Sequence, residues 1–600
     1  MEQKDPVLER NFLIFMVLTI ALIFGWMYVF GKYNAKKKPV DATPAGQTQQ
    51  GSTATAQPPA VLPAPAGAAP GATEAAAPLQ PARALPAAPA VPAKSVLVRG
   101  PLYAIDFSGR GAAAVSWRLN KYLDKVYYPV EISLKWPPVK KLAKFTPVPI
   151  DLVDPSLRDK PPLRSRIVVN NLAVPDDAVW QTGAKEIDVS KGPAELVFTL
   201  PLRGGGTLKK IYTFYPDSYR AGLRIEYSGA RIDPGQSQVD LGMNYVVQPM
   251  NRLTQINFHG PMFHTKGLTR VKLKDLDKQF KDIQKDPNVK PAAGIGDNVD
   301  WTGFTDSYFL TAVLAPKDAP MTFRSYFSGD PAALERKDAD KEYRLDASFR
   351  PSPAMAEKGL LADLELYFGP KEKDVLQKIR PTLALAIDYG WFAPIAIPMM
   401  YALKWVDKLV GNFGWSIVIL TIIMRMAMFP LTRKSQQSMK ELQKLQPEME
   451  KIRKKFPNDR TKQQEEIYAL QRKYKINPLG GCLPMLVQIP IFFAFYKVLM
   501  VSIELRQASW VGWITDLSVR DPLLILPLVM GLSQFVMQKL TPTAGADPTQ
   551  AKMMQFLPLV FTVLMVYFPA GLLLYWTVSN IIGIGQQLFV NYLDQPPKTA

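Results

Sequence analysis

The sequence predicts an α+β membrane protein: an N-terminal transmembrane anchor, a large antiparallel β-sandwich, and a C-terminal five-helix transmembrane bundle carrying a helical hairpin. Three observations carry this prediction. Hydrophobic residues make up 48% of the 600-residue chain, a value that suits a soluble protein, yet they gather into blocks. A long middle stretch alternates polar and apolar residues at period two, as strands with one buried face do. A strongly basic segment with a helical stripe interrupts the C-terminal apolar blocks.

Composition removes several chemistries at once. The one cysteine, Cys482, excludes an intramolecular disulfide framework and a Cys-rich zinc site. His259 and His264, the only histidines, lie in HGPMFH without an accompanying carboxylate cluster and read as ordinary strand or loop residues rather than metal ligands. No GxxxxGK[ST] phosphate loop is present. No cofactor and no metal are expected.

The first block, Phe12 to Phe30, is nineteen residues without a charge. At 1.5 Å per residue it covers about 28 Å, enough to cross a hydrocarbon core. A cleaved signal peptide usually has a shorter apolar region, about 7–15 residues, ending at small residues. This run is longer and ends Tyr28-Val29-Phe30-Gly31-Lys32, so residues 1–31 read as an uncleaved anchor. Residues 32–93 follow as a Pro/Ala-rich linker. From Pro39 to Ala93 there is no aromatic residue, and the only charges are Asp41, Glu74 and Arg83. Such a stretch cannot bury enough apolar surface to offset its ordering entropy, so it reads as a disordered tether.

Residues 94–373 carry the period-two runs, among them Leu102 to Phe107, Leu223 to Tyr227, Met321 to Phe327 and Leu364 to Phe368. Turn-forming clusters separate them, the pattern of a large antiparallel sandwich. Residues 374–414 connect this domain to the bundle. Within them Trp391 to Val410 is apolar but carries Pro394, Pro398, Lys404, Asp407 and Lys408, and reads as an amphipathic helix at the membrane interface.

Residues 415–592 contain five spans: Trp415–Leu431, Leu479–Val501, Pro522–Gln538, Met554–Phe568 and Gly571–Tyr592. Between the first two lies a hairpin, Thr432 to Asn477, with thirteen Lys/Arg against six Asp/Glu. Met439, Leu442, Leu445, Met449, Ile452 and Phe456 form its apolar stripe. Pro457-Asn458-Asp459 breaks the helix, and Ile467, Leu470 and Tyr474 resume the stripe. The basic charge places the hairpin in the cytoplasm. Alternation then puts the β domain outside and both termini inside, with six spans and a short tail at 593–600. The flank after the first span (Lys32, Lys36, Lys37, Lys38) is more basic than the flank before it (Lys4, Arg10), which opposes this orientation. Long domains translocate regardless of such charges, so the hairpin sets the topology.

Arg425 stands inside a span, in SIVILTIIMRMAMFPL. An arginine near a helix centre costs about 2.5–3.5 kcal/mol on insertion scales. The other four C-terminal spans hold no interior Asp or Glu to pair with it; Glu504 lies just beyond its span. One remedy is snorkelling toward the end marked by Arg433. The other is a wet interior, which Thr421, Gln488, Ser533, Gln534, Thr577, Ser579, Asn580, Gln586 and Gln587 favour. A cation in such a groove lowers the cost of carrying polar chain part-way across a bilayer. That is transport or insertion rather than bond-making.

The chain closely resembles the YidC membrane-protein insertase family of Gram-negative bacteria. The resemblance rests on VGNFGWSIVILTIIMRMAMFPLTRKS (Val410 to Ser435), NPLGGCLPMLVQIPIFFAFY (Asn477 to Tyr496), ELRQASW (Glu504 to Trp510), DPLLILPLVMG (Asp521 to Gly531) and FPAGLLLYWTVSN (Phe568 to Asn580). It is strongest from Asp388 to Asn591. It implies a periplasmic β-supersandwich, an inner-membrane location and a non-enzymatic insertase that helps nascent membrane proteins insert and fold, alone or with the Sec translocon. It also implies a substrate groove at Arg425, Thr421, Gln488, Ser533 and Trp576, and an apolar slide into lipid at Phe492, Met530 and Leu564. Trp576 stands where the family has tyrosine, and Leu564 where it has phenylalanine. The tail after Tyr592 has Lys598 as its only base, so the basic hairpin is the better contact for a ribosome. Two other classes stay open. A solute transporter would use Arg425 as an anion site, although the spans show no paired repeat. An anchored carbohydrate-binding enzyme would need converging carboxylates and aromatics on the sandwich.

Overall fold

The structure is a computed structural model. It describes residues 83–84 and 94–593, apart from 126–129, 133–138, 142–145, 203–204, 248–257, 290–293, 317–320, 337–339, 458, 475, 477–482 and 542–557. The expected anchor, most of the linker and the tail lie outside the described residues. Contacts divide the chain into two units. In the first, the described part is a short parallel pairing of Arg83–Ala84 with Leu172 and Ala173. The second holds the β domain and the helices.

The β domain is built as its alternation requires. An eight-stranded sheet runs Ala194–Pro201, Thr207–Phe214, Arg220–Ser228, Leu360–Pro370, Phe309–Leu314, Trp301–Thr305, Gly260–His264, Leu268–Arg270. Two further sheets face it across one core. One contains Ala113–Leu123 and sets Trp117 flat on Phe368, ring centroids 4.2 Å apart. The other contains Gln238–Val247 and stacks Tyr245 on Phe304 at 4.8 Å. Along Lys341–Phe349 every second side chain from Tyr343 is buried, as period two demands. The antiparallel expectation needs correcting at two short pairings: besides Arg83–Ala84 with Leu172 and Ala173, Glu186–Asp188 pairs with Ser95–Arg99 in parallel. His264 ends a buried strand with Nδ1 3.2 Å from Asp300, and His259 Nε2 lies 3.1 Å from Ser307 Oγ. Among the described residues no group of three or more metal-ligating side chains gathers.

Helix α1 is Leu273–Lys285 and α2 is Lys373–Ile379. The helical part then opens with α3 (Ala393–Val410) and α4 (Phe413–Ala427), which meet at a bend of 119°. Gly411 makes this bend possible: at φ 68° it occupies the left-handed region and caps α3 by donating to Asp407 O. Asn412 caps α4, its side chain accepting from Trp415 N at 3.1 Å. The first predicted span, Trp415–Leu431, is divided between two helices. α4 ends at Ala427, and Pro430 in the first turn starts α5 (Phe429–Lys444).

The hairpin follows as α5, α6 (Gln446–Lys455) and α7 (Arg460–Lys473). Asp459 accepts from Lys462 N and caps α7 after the predicted break. Leu442, Leu445 and Met449 form its buried core, with Ile467, Leu470 and Ile476 packed against them. Tyr474, predicted on the stripe, is exposed; Ile476 fills that place. The bundle is completed by α8 (Leu483–Val501), α9 (Ile525–Leu540), α10 (558–565) and α11 (Ala570–Leu593). α11 packs against α4, α8 and α9. Among the described residues no single helix is long and apolar enough to cross a membrane; the bent pair Gly390–Val410 and Phe413–Ala427 reaches that length and composition only when its two helices are counted together.

Candidate functional site

The bundle turns the usual soluble pattern inside out. Large apolar side chains stand exposed on its outside, among them Leu528, Leu532, Leu559, Val560, Leu564, Ile581 and Phe589. Polar side chains are buried inside: Ser416, Thr421, Ser533, Thr577, Ser579, Asn580, Gln586 and Gln587. Exposed apolar surface on this scale requires a covering, and lipid supplies it without polar partners.

Helical spacing explains how the polar residues meet. Thr421 and Arg425 are one turn apart on α4, and Trp576, Ser579, Asn580, Gly583, Gln586 and Gln587 recur at three and four residues on α11. Where these faces meet, Arg425 is half-buried, and its Nε donates to Ser579 Oγ at 2.6 Å. Gln586 Nε2 donates to Arg425 O at 3.0 Å. Gly583 leaves the space: a Cβ there would sit 3.1 Å from Met537 Cε and 4.0 Å from Arg425 Nη1. No ion pair to Arg425 is formed among the described residues. A second link joins α9 to α11, where Asn580 Nδ2 donates to Ser533 Oγ at 3.0 Å and Ser533 donates to Met530 O. Thr577 Oγ1 and Gln586 Oε1 are buried without a hydrogen-bond partner among the described residues. Such atoms are the kind that water or an incoming polar chain satisfies.

The remaining predicted residues divide. Thr421 is buried, but its hydroxyl donates to Ile417 O of its own helix at 2.6 Å. Gln488 hydrogen-bonds the Tyr575 hydroxyl. Trp576 Nε1 donates to Gln534 Oε1 at 3.0 Å, and its ring is held between Phe492 at 4.7 Å and Phe561 at 5.0 Å. Leu564 is exposed on α10. Met530 is fully buried between helices and offers no outer surface. Sequence reasoning missed Ser579 as the partner of Arg425, the Tyr575 hydroxyl, and the space at Gly583. The α11 periodicity places Ser579 and Gly583 on one face but does not say what that face meets.

Residues 405–597 match the family model described as "60Kd inner membrane protein", and residues 140–402 match "YidC periplasmic domain". A Geotalea daltonii protein named membrane protein insertase YidC is 34% identical, covering 97% of this chain and 99% of its own. The chain belongs to the YidC family. A second YidC, from Geobacter metallireducens, is 35% identical over 97% of this chain and 98% of its own. Among solved structures, an active YidC insertase aligns with 82% of this chain and 93% of its own, at 17% identity and a TM-score of 0.34. Family membership makes this an inner-membrane protein with a large β-sandwich domain and C-terminal helices.

Proposed function

We propose that this chain is a non-enzymatic insertase that receives the polar flank of a nascent hydrophobic segment and releases that segment into lipid. The observation that carries this reading is Arg425, held by Ser579 in a polar seam and without an ion pair among the described residues, inside helices whose outer faces are apolar. An unpaired guanidinium attracts carboxylates and carbonyls, and shortens the apolar distance a polar flank must cross. Ser533, Asn580, Gln488 and Trp576 line the same interior and supply donors and acceptors without fixed charge. Phe492 and Leu564 are the contacts along which the segment leaves; Met530 supports them from within. Burial of the segment in lipid, at about 25 cal/mol per Å² of apolar surface, drives the last step.

In this reading the β domain is periplasmic, both termini are cytoplasmic, and six spans cross the membrane. The basic hairpin faces the cytoplasm, where its charge suits a ribosome, and the insertase works alone or with the Sec translocon. The Trp391 and Trp405 side chains are exposed on or beside α3, as an interfacial helix requires.

The test is insertion of a short single-span client into proteoliposomes containing only this protein. Insertion well above that of empty liposomes is expected. Insertion equal to empty liposomes, with the protein folded and correctly oriented, would overturn the reading.

A further inference from the structure

ELRQASW, the segment between α8 and α9, carries polar side chains that the interior seam does not use. Arg506 Nη2 donates to Leu123 O at 2.6 Å and Asp124 O at 3.3 Å, at the end of the β-domain strand Ala113–Leu123. Its guanidinium carbon lies 5.5 Å from the Phe309 ring centre and 5.8 Å from that of Tyr308. Gln507 takes both backbone groups of Leu123: Oε1 accepts its N–H at 3.4 Å and Nε2 donates to its carbonyl at 2.9 Å. The amide thus does what a neighbouring strand does, and Gln507 adopts φ +59° to do it. Glu504 binds Lys404 of α3 at 2.7 Å, and the same Nζ binds Asp374 of α2 at 2.9 Å.

The rest of this segment is tied to the helices that form the polar seam. Asp521 caps α9, accepting from Leu523 N at 2.9 Å and Leu526 N at 2.7 Å. Leu517 O and Val519 O accept from Gly571 N and Ala570 N at the start of α11. Trp510 packs where Gly414 of α4 has no side chain; a Cβ there would lie 2.3 Å from its ring. One connection therefore grips a strand end of the β domain and the first turns of α4, α9 and α11.

We infer that Glu504 to Gln507 forms a clip holding the β domain in one orientation over those first turns, with Arg506 and Gln507 as its positioning residues. Covalently linked domains move relative to one another unless their interface prevents it. Here a guanidinium on two carbonyls and two aromatic rings, an amide bracketing one residue, and the Lys404 ion triad prevent it together.

The test is a distance measurement on the full chain in lipid nanodiscs, independent of insertion. Spin labels are placed by Lys191→Cys on an exposed β-domain turn and Leu528→Cys on the outside of α9, in a Cys482→Ser background. The parent should give one narrow distance distribution. Arg506→Ala with Gln507→Ala should broaden it at least about twofold, freeing a default domain motion. Arg506→Lys, which keeps a donor but loses the fork, should fall between. A broad distribution in the parent, or an unchanged width in the double variant with its β domain folded, would overturn the inference. Should the double variant fail to fold, Gln507→Ala alone decides by the same criterion.

Discussion

Replacing Arg425 by alanine should slow insertion in proportion to the negative charge on a client's translocated flank. A client carboxylate about 4 Å from the guanidinium gains about 1 kcal/mol in a fully wet site and about 4 kcal/mol at an effective dielectric near 20. The predicted loss for an acidic flank therefore lies between about fivefold and about a thousandfold, since 1.4 kcal/mol is tenfold. Arg425 is half-buried with polar neighbours, which favours the lower part of that range. A neutral flank should change by no more than about twofold, and Arg425→Lys should retain most activity because the charge survives. Unfolding does not confound the comparison. Alanine removes one charge-assisted hydrogen bond to Ser579, worth about 1.5–3 kcal/mol, and also removes a membrane charge costing about as much. The assay is protease protection of clients with zero, one or two aspartates in the flank, using proteoliposomes of each variant. Equal losses for neutral and acidic flanks would refute the electrostatic role.

Other predictions concern packing and charge. Burial drives the pKa of Lys210 in the β-domain core from 10.5 to about 7, while the unfolded chain keeps its proton to the ordinary value. The unfolded state then binds more protons between those limits, so stability should rise with pH above 7 by about 1.4 kcal/mol per unit. Lys210→Met should flatten that part of the thermal-unfolding profile; Lys371, pushed down to about 8 by burial, contributes separately in both proteins. Gly531→Ala places a Cβ 2.1 Å from Thr562 Oγ1 and should lower the unfolding temperature, an overpacking cost of about 1–3 kcal/mol that Thr562→Ala should largely restore. Met449→Ala empties the hairpin core at a cost of about 2–5 kcal/mol, and should speed hydrogen exchange in α7 without changing exchange near Arg425.

The sandwich was legible because alternation reports a physical fact, that each strand has one buried face. Its parallel pairing at Glu186–Asp188 was not, because three residues carry no signal of direction. The end of α4 was written in Pro430, but the unbroken apolar run across it concealed a change of helix within the predicted span. The polar interior was readable as a list of residues, since an arginine with no carboxylate in the spans needs some accommodation. Its geometry was not readable. Ser579 is 154 residues from Arg425, and only the fold brings the two together. Met530, placed on the slide by resemblance alone, is another such case: the sequence did not decide whether it meets lipid or other helices, and its full burial does.

The proposed insertion route requires a bundle that is polar and wet within and apolar without. Its most direct test compares four single cysteines in a Cys482→Ser background: Gln488→Cys and Gln534→Cys inside, Leu532→Cys and Leu559→Cys outside. Thiols react as thiolates and need water to ionise. In native membranes a charged, water-soluble thiol reagent should modify the two inner positions at least about tenfold faster than the two outer ones. Equal rates at all four, or faster reaction outside, would contradict the wet interior on which Arg425 depends.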